Sequence, residues 1–340
     1  MSGFADVPIA PPPPMNAPQR LVDVGFADLY LSSDPDIPVL VSHLRLDGQP
    51  ASEGPLVVLP PTLATDAARL GAKVAAMAGT DAEFSVEHDG IAYRCARIAS
   101  PATREDAAGW VLRQIRNDRR TLADLGMPDW LVGELHRAGL RGGLLLVTGP
   151  FASGKTTTAA ACLTDWVARH GGVGVTFEDP PERRIAGFHG RGPIYQIAVP
   201  QNGFADAVRA SRRWAYRFAL IGEIRSHETA AETIQLALSG ATIVATIHGA
   251  GPVEGLMALA KFAAAPDEPR GPDDRIAAAI SGVLHQTLAR DRPEVRYLSF
   301  AGRNAPAMRT KIINGQFHLL ADDLEYQTRL RGLGRANESF

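Results

Sequence analysis

Cysteine and lysine are both scarce in this 340-residue chain. There are two of the first, Cys95 and Cys162, and four of the second, Lys73, Lys155, Lys261 and Lys311. Neither cysteine sits at metal-ligand spacing, so the expectation is two buried, reduced thiols in a cytoplasmic protein. An excess of one charge is missing too. A formal net charge of -2 creates no strong field towards nucleic acid or anionic lipid, which argues against a protein that coats DNA. No run approaches the ~20 apolar residues of a membrane span. The opening residues show no charged segment followed by an apolar run, so no secretory signal is expected. The chain is read as cytoplasmic, with partner proteins as its route to a membrane.

Hydrophobic residues make up 45% and charged residues 21%, enough for a sizeable core and suited to two domains. Residues 1–18 are rich in proline, with the run Pro11–Pro14, and are expected to form a flexible tail. Residues 19–115 carry short alternating apolar runs at Asp28–Ser33, Val39–Gly48 and Ile91–Ile98, a helical pattern over Thr65–Met77, and Asp-Gly turn signals at Asp47-Gly48 and Asp89-Gly90. They predict a small α+β domain around an antiparallel sheet. Residues 116–142 are polar with helical periodicity and are expected to be a connector. From residue 143 to 340 strands and helices alternate. The strands are Gly143–Gly149, Val173–Asp179, Phe218–Glu223 and Ala241–His248, and the helices Lys155–Ala168, Ala205–Arg213 and His227–Leu238. Near-continuous apolar strands alternating with helices predict an α/β domain with a parallel sheet covered on both faces. Beyond Gly255 the pattern reads as mostly helical.

Gly149–Thr156, GPFASGKT, matches G-x-x-x-x-G-K-[ST] in full, after an apolar strand and before a helix. In such a loop Gly149, Pro150, Phe151, Ala152, Ser153 and Gly154, with Lys155, Thr156 and Thr157, would surround ATP phosphates at a helix N-terminus, every residue but the proline offering a backbone N–H. Lys155 would reach the β- and γ-phosphates and the Thr156 hydroxyl would ligate Mg2+.

Parallel strands deliver their C-terminal ends to one edge. Glu178, at the second strand end, and Glu223, at the third, therefore belong beside the phosphates. Glu223 fits a water-activating base, and Glu178 either a magnesium ligand, direct or through water, or a catalytic carboxylate that orients the attacking water. Ordinary solvation of strand ends is the plainer alternative for each. His248 ends the fourth strand, either as a turn cap or as a polar sensor of the γ-phosphate.

The loop, TFEDPPE (Thr176–Glu182), LIGEIR (Leu220–Arg225) and TIH (Thr246–His248) together resemble the Walker A, Asp box, Walker B and His box of the secretion ATPases. These motors serve type II secretion, type IV pili and type IV secretion. The resemblance extends to Gln196 and the arginine-rich helix before LIGEIR, and to DLYLSS and LRLDG near the start. It implies a RecA-like P-loop ATPase domain, a PAS-like N-terminal domain, a homo-hexamer, and recruitment by an inner-membrane component of a pilus or secretion machine. It also implies arginines acting in trans on a neighbour's nucleotide, with Arg94, Arg97 and Arg113 as candidates. Length and two-domain plan look most like the PilT-type ATPases, including the DotB/TraJ-like conjugation-related branch. Two cysteines cannot make the tetracysteine zinc site of the larger assembly ATPases.

Three departures stand out. Ala215-Tyr216-Arg217 occupies the usual Asp-Pro-Asp, Ser226 replaces the aspartate after GEIR, and Gly249 replaces the threonine after the histidine. A competing expectation is a nucleic-acid-translocating P-loop motor, resting on Arg209–Arg217, where Trp214 and Tyr216 interleave with arginines. The alternative for that stretch is a subunit interface or phosphate-sensing arginines.

Overall fold

The computed structural model describes residues 19–46, 55–78, 83–99, 107–115, 120–179, 181–199, 203–211, 213–265, 271–289 and 292–333. The proline-rich segment 1–18 and the Asp47-Gly48 turn signal lie outside the described residues. The chain divides into two compact units, Met1–Arg116 and Asn117–Phe340.

The first unit contains β1 (Asp28–Ser32), β2 (Leu40–Ser42), β3 (Leu56–Val58), α1 (Ala64–Met77), β4 (Glu83–His88), β5 (Ile91–Ala99) and β6 (Ala108–Ile115). The strands form one antiparallel sheet in the order β3-β2-β1-β6-β5-β4. Alternation in β1 turns Leu29 and Leu31 inward, and α1 buries Ala67, Leu70 and Val74 from one face against them. Asp89 and Gly90, at φ 49° and 78°, make the two-residue turn between β4 and β5 that their sequence signals. Cys95 is buried here, which pushes its thiol up to about 12.

The second unit begins with α2 (Asp129–Arg141), β7 (Gly143–Gly149), α3 (Lys155–His170), β8 (Gly174–Glu178), β9 (Gly187–His189) and β10 (Gly192–Ala198). It continues through α4 (Phe204–Ser211), β11 (Phe218–Ile221), α5 (His227–Leu238), β12 (Thr242–His248), α6 (Pro252–Ala263) and α7 (Asp273–Ala279). It closes with β13 (Ile280–Ala289), β14 (Arg292–Ser299), α8 (Ala305–Ile313) and α9 (Leu320–Gly332). The 8-stranded sheet runs β14-β13-β7-β12-β11-β8-β10-β9. From β13 to β10 neighbouring strands are parallel, and antiparallel hairpin strands β14 and β9 close the two edges.

Two features depart from the sequence pattern. The stretch beyond Gly255, read as mostly helical, also holds two strands, β13 and β14, and β13 pairs with β7 itself. Ser281, Gly282, His285 and Gln286 interrupt the apolar run of β13, which hides the strand from periodicity. The segment read as a connector, 116–142, contributes α2, whose Leu131, Leu135 and Ala138 join α3 and the sheet in one core.

That packing is close. Trp166 of α3 is fully buried and donates from its indole nitrogen to the Leu135 carbonyl at 2.7 Å. A Cβ on Gly139 would lie 2.8 Å from the same nitrogen, so only glycine fits where α2 crosses the ring. Alanine would gain ~0.5–1 kcal/mol of helix propensity, but forcing a methyl against a locked tryptophan costs ~1–3 kcal/mol. Gly139→Ala is therefore expected to lower the urea midpoint of the second unit's transition. A stabilised variant would mean that α2 does not press on α3.

Candidate functional site

β7 is flanked by β12 and β13, and its last residue opens the loop that leads into α3. At the close of the loop Gly154 sits at φ 83°, and a Cβ there would lie 2.8 Å from the Gln286 amide nitrogen. A Cβ on Gly149 would run into the Gln286 carbonyl. Both glycines are demanded by how closely β13 approaches. The loop turns over on itself and leaves the N-terminal N–H groups of α3 facing its hollow, with positive helix-dipole character behind them.

Lys155 is only 8% exposed. Its ammonium donates to the carbonyls of Gly149 at 3.1 Å and Pro150 at 2.7 Å, and lies 3.4 Å from His248 Nδ1. Burial pushes its pKa down, against the opposing pull of the Glu223 and Glu182 charges. His248 Nε2 is 2.9 Å from Glu223 Oε1. The other oxygen of Glu223 accepts from Arg225 Nε at 2.7 Å. Lys155, His248, Glu223 and Arg225 thus form one chain across the ends of β7, β12 and β11.

Glu178 ends β8 and is 5% exposed. Burial pushes its carboxyl up, and a hydrogen bond from Gln196 at 3.0 Å opposes this. Gln196 also accepts from the amides of Ile185 at 2.9 Å and Ala186 at 3.1 Å, and donates to the Arg183 carbonyl. One side chain thereby ties the loop after β8 to the carboxylate. A cavity of about 270 Å³ opens beside these groups, lined among others by Thr156, Glu178, Asp179, Glu182, Glu223 and Arg225. Glu182 and Arg225 are members of the site that residue types at strand ends did not single out.

The structure brings Lys155, Thr156, Glu178, Glu223 and His248 together. The buried Ser153 hydroxyl in the loop has no hydrogen-bond partner, as a group waiting for an acceptor would. A hydroxyl and carboxylates lining one cavity, with a lysine next in sequence to that hydroxyl, are the donor set that suits a magnesium–triphosphate, so the residues present fit that ligand. Arg94, Arg97 and Arg113 belong to the first unit. Arg94 and Arg113 face each other across β5 and β6, with Arg94 paired to Glu83 at 2.7 Å and Arg113 to Asp28 at 2.8 Å, while Arg97 is exposed on β5. The cluster of Asp66, His88 and Asp89, also in the first unit, has metal-ligating atoms close together. Arg69 already lies 3.4 Å from Asp66 and 3.5 Å from Asp89.

Gln286 is the residue that motif reading missed. It is 3% exposed on β13, donates from its amide to the Ser153 carbonyl at 2.7 Å and accepts from the Thr158 hydroxyl at 2.7 Å. It clamps the loop to the helix that follows. Nothing in its local sequence announces this, because β13 was itself unrecognised. Gln286→Leu would leave a buried carbonyl and a buried hydroxyl unpaired at ~1–3 kcal/mol each. The expected result is a lower unfolding temperature together with weakened binding of a fluorescent ATP analogue. Full retention of both would dismiss the clamp.

The family model described as "Type II/IV secretion system protein" matches residues 80–314. Type II secretion system protein E of Xanthomonas campestris pv. campestris is 36% identical over 151 residues, 44% of this chain and 24% of its own length. The type IV pilus assembly ATPase TfpB of Acinetobacter baylyi is 35% identical over 158 residues, 46% of this chain and 25% of its own length. The chain therefore matches about a quarter of the length of these relatives. Among solved structures, the Legionella pneumophila ATPase DotB superposes with a TM-score of 0.63 at 20% identity, covering 87% of this chain and 84% of that one. The pilus retraction motor PilT with bound ADP gives 0.65 at 21% identity, covering 89% and 86%. At that identity the likeness shows a shared fold alone, and it is the family model, spanning more than half of the chain, that settles membership: this chain belongs to the type II/IV secretion system protein family.

Proposed function

We propose that this chain is an ATP-hydrolysing motor subunit, acting as a ring of six that powers a type IV pilus or a conjugation-related type IV secretion machine. The observation that carries the reading is the chain Lys155–His248–Glu223 across three parallel strand ends, beside Thr156 and Glu178. In it Lys155 and the α3 N-terminus would bind the phosphates. Glu223, held from one side by His248 and from the other by Arg225, would take the proton of the attacking water. The Thr156 hydroxyl and Glu178 would hold magnesium, which when bound supplies charge neutralisation at the phosphate oxygens. Closing of this edge around nucleotide and its opening on product release would move the two units and so do work. Arg94, Arg97 and Arg113 are the proposed contributors to a neighbouring subunit's nucleotide. Among the described residues no helix is long and apolar enough to cross a membrane, so recruitment through an inner-membrane partner is part of the proposal.

The arginine-rich stretch gives less support to a nucleic-acid-translocating motor. Arg209 is paired with Asp206, and Arg217 donates to the His170 carbonyl at 3.1 Å while lying over the Phe218 ring at 5.0 Å. Arg217 thus serves its own unit's packing, and Arg209 is engaged in an exposed pair on its own helix.

Lys155→Ala should bring ATPase activity to background while the fold survives, and unchanged turnover in the folded variant would end the reading. Glu223→Gln should bind ATP at least as tightly as the wild type, yet turn over ~10²–10⁴-fold more slowly. Normal hydrolysis by Glu223→Gln with a dead Glu178→Gln would exchange the two roles. Light scattering with a non-hydrolysable ATP analogue should report six subunits, and a fully active strict monomer would count against a motor ring.

A further inference from the structure

We propose that Phe151 is a positioning residue for hydrolysis: from the tip of the phosphate loop its ring holds the His248 imidazole with one nitrogen on Lys155 and the other on Glu223. The proposal rests on the ATPase reading and adds a residue to it.

The starting point is what His248 has to do. An ammonium can only donate, so His248 Nδ1, 3.4 Å from Lys155 Nζ, must be the accepting nitrogen. Nε2 then carries the ring hydrogen and donates it to Glu223 Oε1 at 2.9 Å. One neutral tautomer in one orientation satisfies both neighbours. Rotation of the ring about its attachment bond would set a carbon against each of them. That orientation needs a hold, because His248 is the last residue of β12 and its side chain is 34% exposed.

Phe151 supplies the hold. Its ring centroid lies 4.0 Å from that of His248, with the planes tilted by 38°. Phe151 is itself 83% exposed, so it has no place in a hydrophobic core. A large aromatic left in water at the tip of a phosphate-binding loop has packing value only through what it covers, and the ring it lies against is the imidazole. The residue that follows, Ala152, sits at φ 56°. The left-handed region is disfavoured for alanine, yet the loop adopts it directly after Phe151. The loop that would carry the phosphates thus also carries the group that orients Glu223's partner, which links phosphate-loop position to the readiness of the proposed base.

The test uses the full chain with three substitutions, Phe151→Leu, Phe151→Tyr and Lys155→Ala. Steady-state kcat and KM are measured alongside affinity for a fluorescent ATP analogue and the unfolding temperature. Leucine keeps bulk but removes the flat face. Phe151→Leu is expected to lower kcat by about 10- to 100-fold, the scale on which a misplaced catalytic group is felt. KM, analogue affinity and unfolding temperature should stay at wild-type values, and Phe151→Tyr should restore kcat. Wild-type kcat in Phe151→Leu, a defect confined to KM, or no restoration by tyrosine would each overturn the proposal. If Lys155→Ala turns over normally the ATPase reading itself falls. If Lys155→Ala is inactive and Phe151→Leu is normal, only the role of Phe151 falls.

Discussion

A buried ammonium organises this site. Lys155 is withdrawn from water, and removing a charge from water costs several kcal/mol unless acceptors surround it. The loop meets that demand by turning the Gly149 and Pro150 carbonyls inward, and the sheet meets it by bringing His248, then Glu223, within reach. The outer pair of Glu223 with Arg225 is a different matter. The Arg225 side chain is 63% exposed, and pairs of that kind contribute ~0–1 kcal/mol. The inner half of the chain sets the geometry, and the outer half limits where the Glu223 carboxylate can swing.

The second constraint is the parallel sheet. Because β7, β8, β11 and β12 run the same way, residues from four separated stretches of sequence finish on one edge without any loop having to reach across the molecule. Gln196 adds a local device, satisfying backbone groups of the loop after β8 with the same amide that touches Glu178. Glu178 closes a rigid strand and Glu223 follows one by two residues, so the sheet fixes where both carboxylates stand. That is consistent with a shared fold at 20–21% identity.

Much of this was legible in the sequence, for physical reasons. Gly149, Gly154, Lys155 and Thr156 have few substitutes in a loop that wraps phosphates, and strand direction alone places Glu178, Glu223 and His248 beside them. The arginine-rich stretch, by contrast, offered charge without geometry. Gln286 was invisible because a strand that buries polar groups on purpose does not look like a buried strand. α2 was read as a connector because Leu131, Leu135 and Ala138 are sparse among charged neighbours, and only the complementary surface of α3 reveals their face. Phe151 was read as one more loop residue, since a stack between two residues far apart in sequence leaves no local pattern. What periodicity finds is the scaffold, and what it misses are contacts that bridge distant segments.

The place of β13 beside β7 has a consequence for how the molecule is made. When the phosphate loop leaves the ribosome, the strand that will clamp it through Gln286 is still more than a hundred residues from being synthesised, and closing so long a loop is entropically slow. Until that strand docks, the Ser153 carbonyl and the Thr158 hydroxyl lack their partner, and one edge of β7 is open to other pairing. A nascent chain would therefore pass through a stage in which every residue of the loop is present but its Gln286 clamp is not. On the proposed function, the capacity to hold a nucleotide would arrive with a late segment of the chain rather than with the motif that names it.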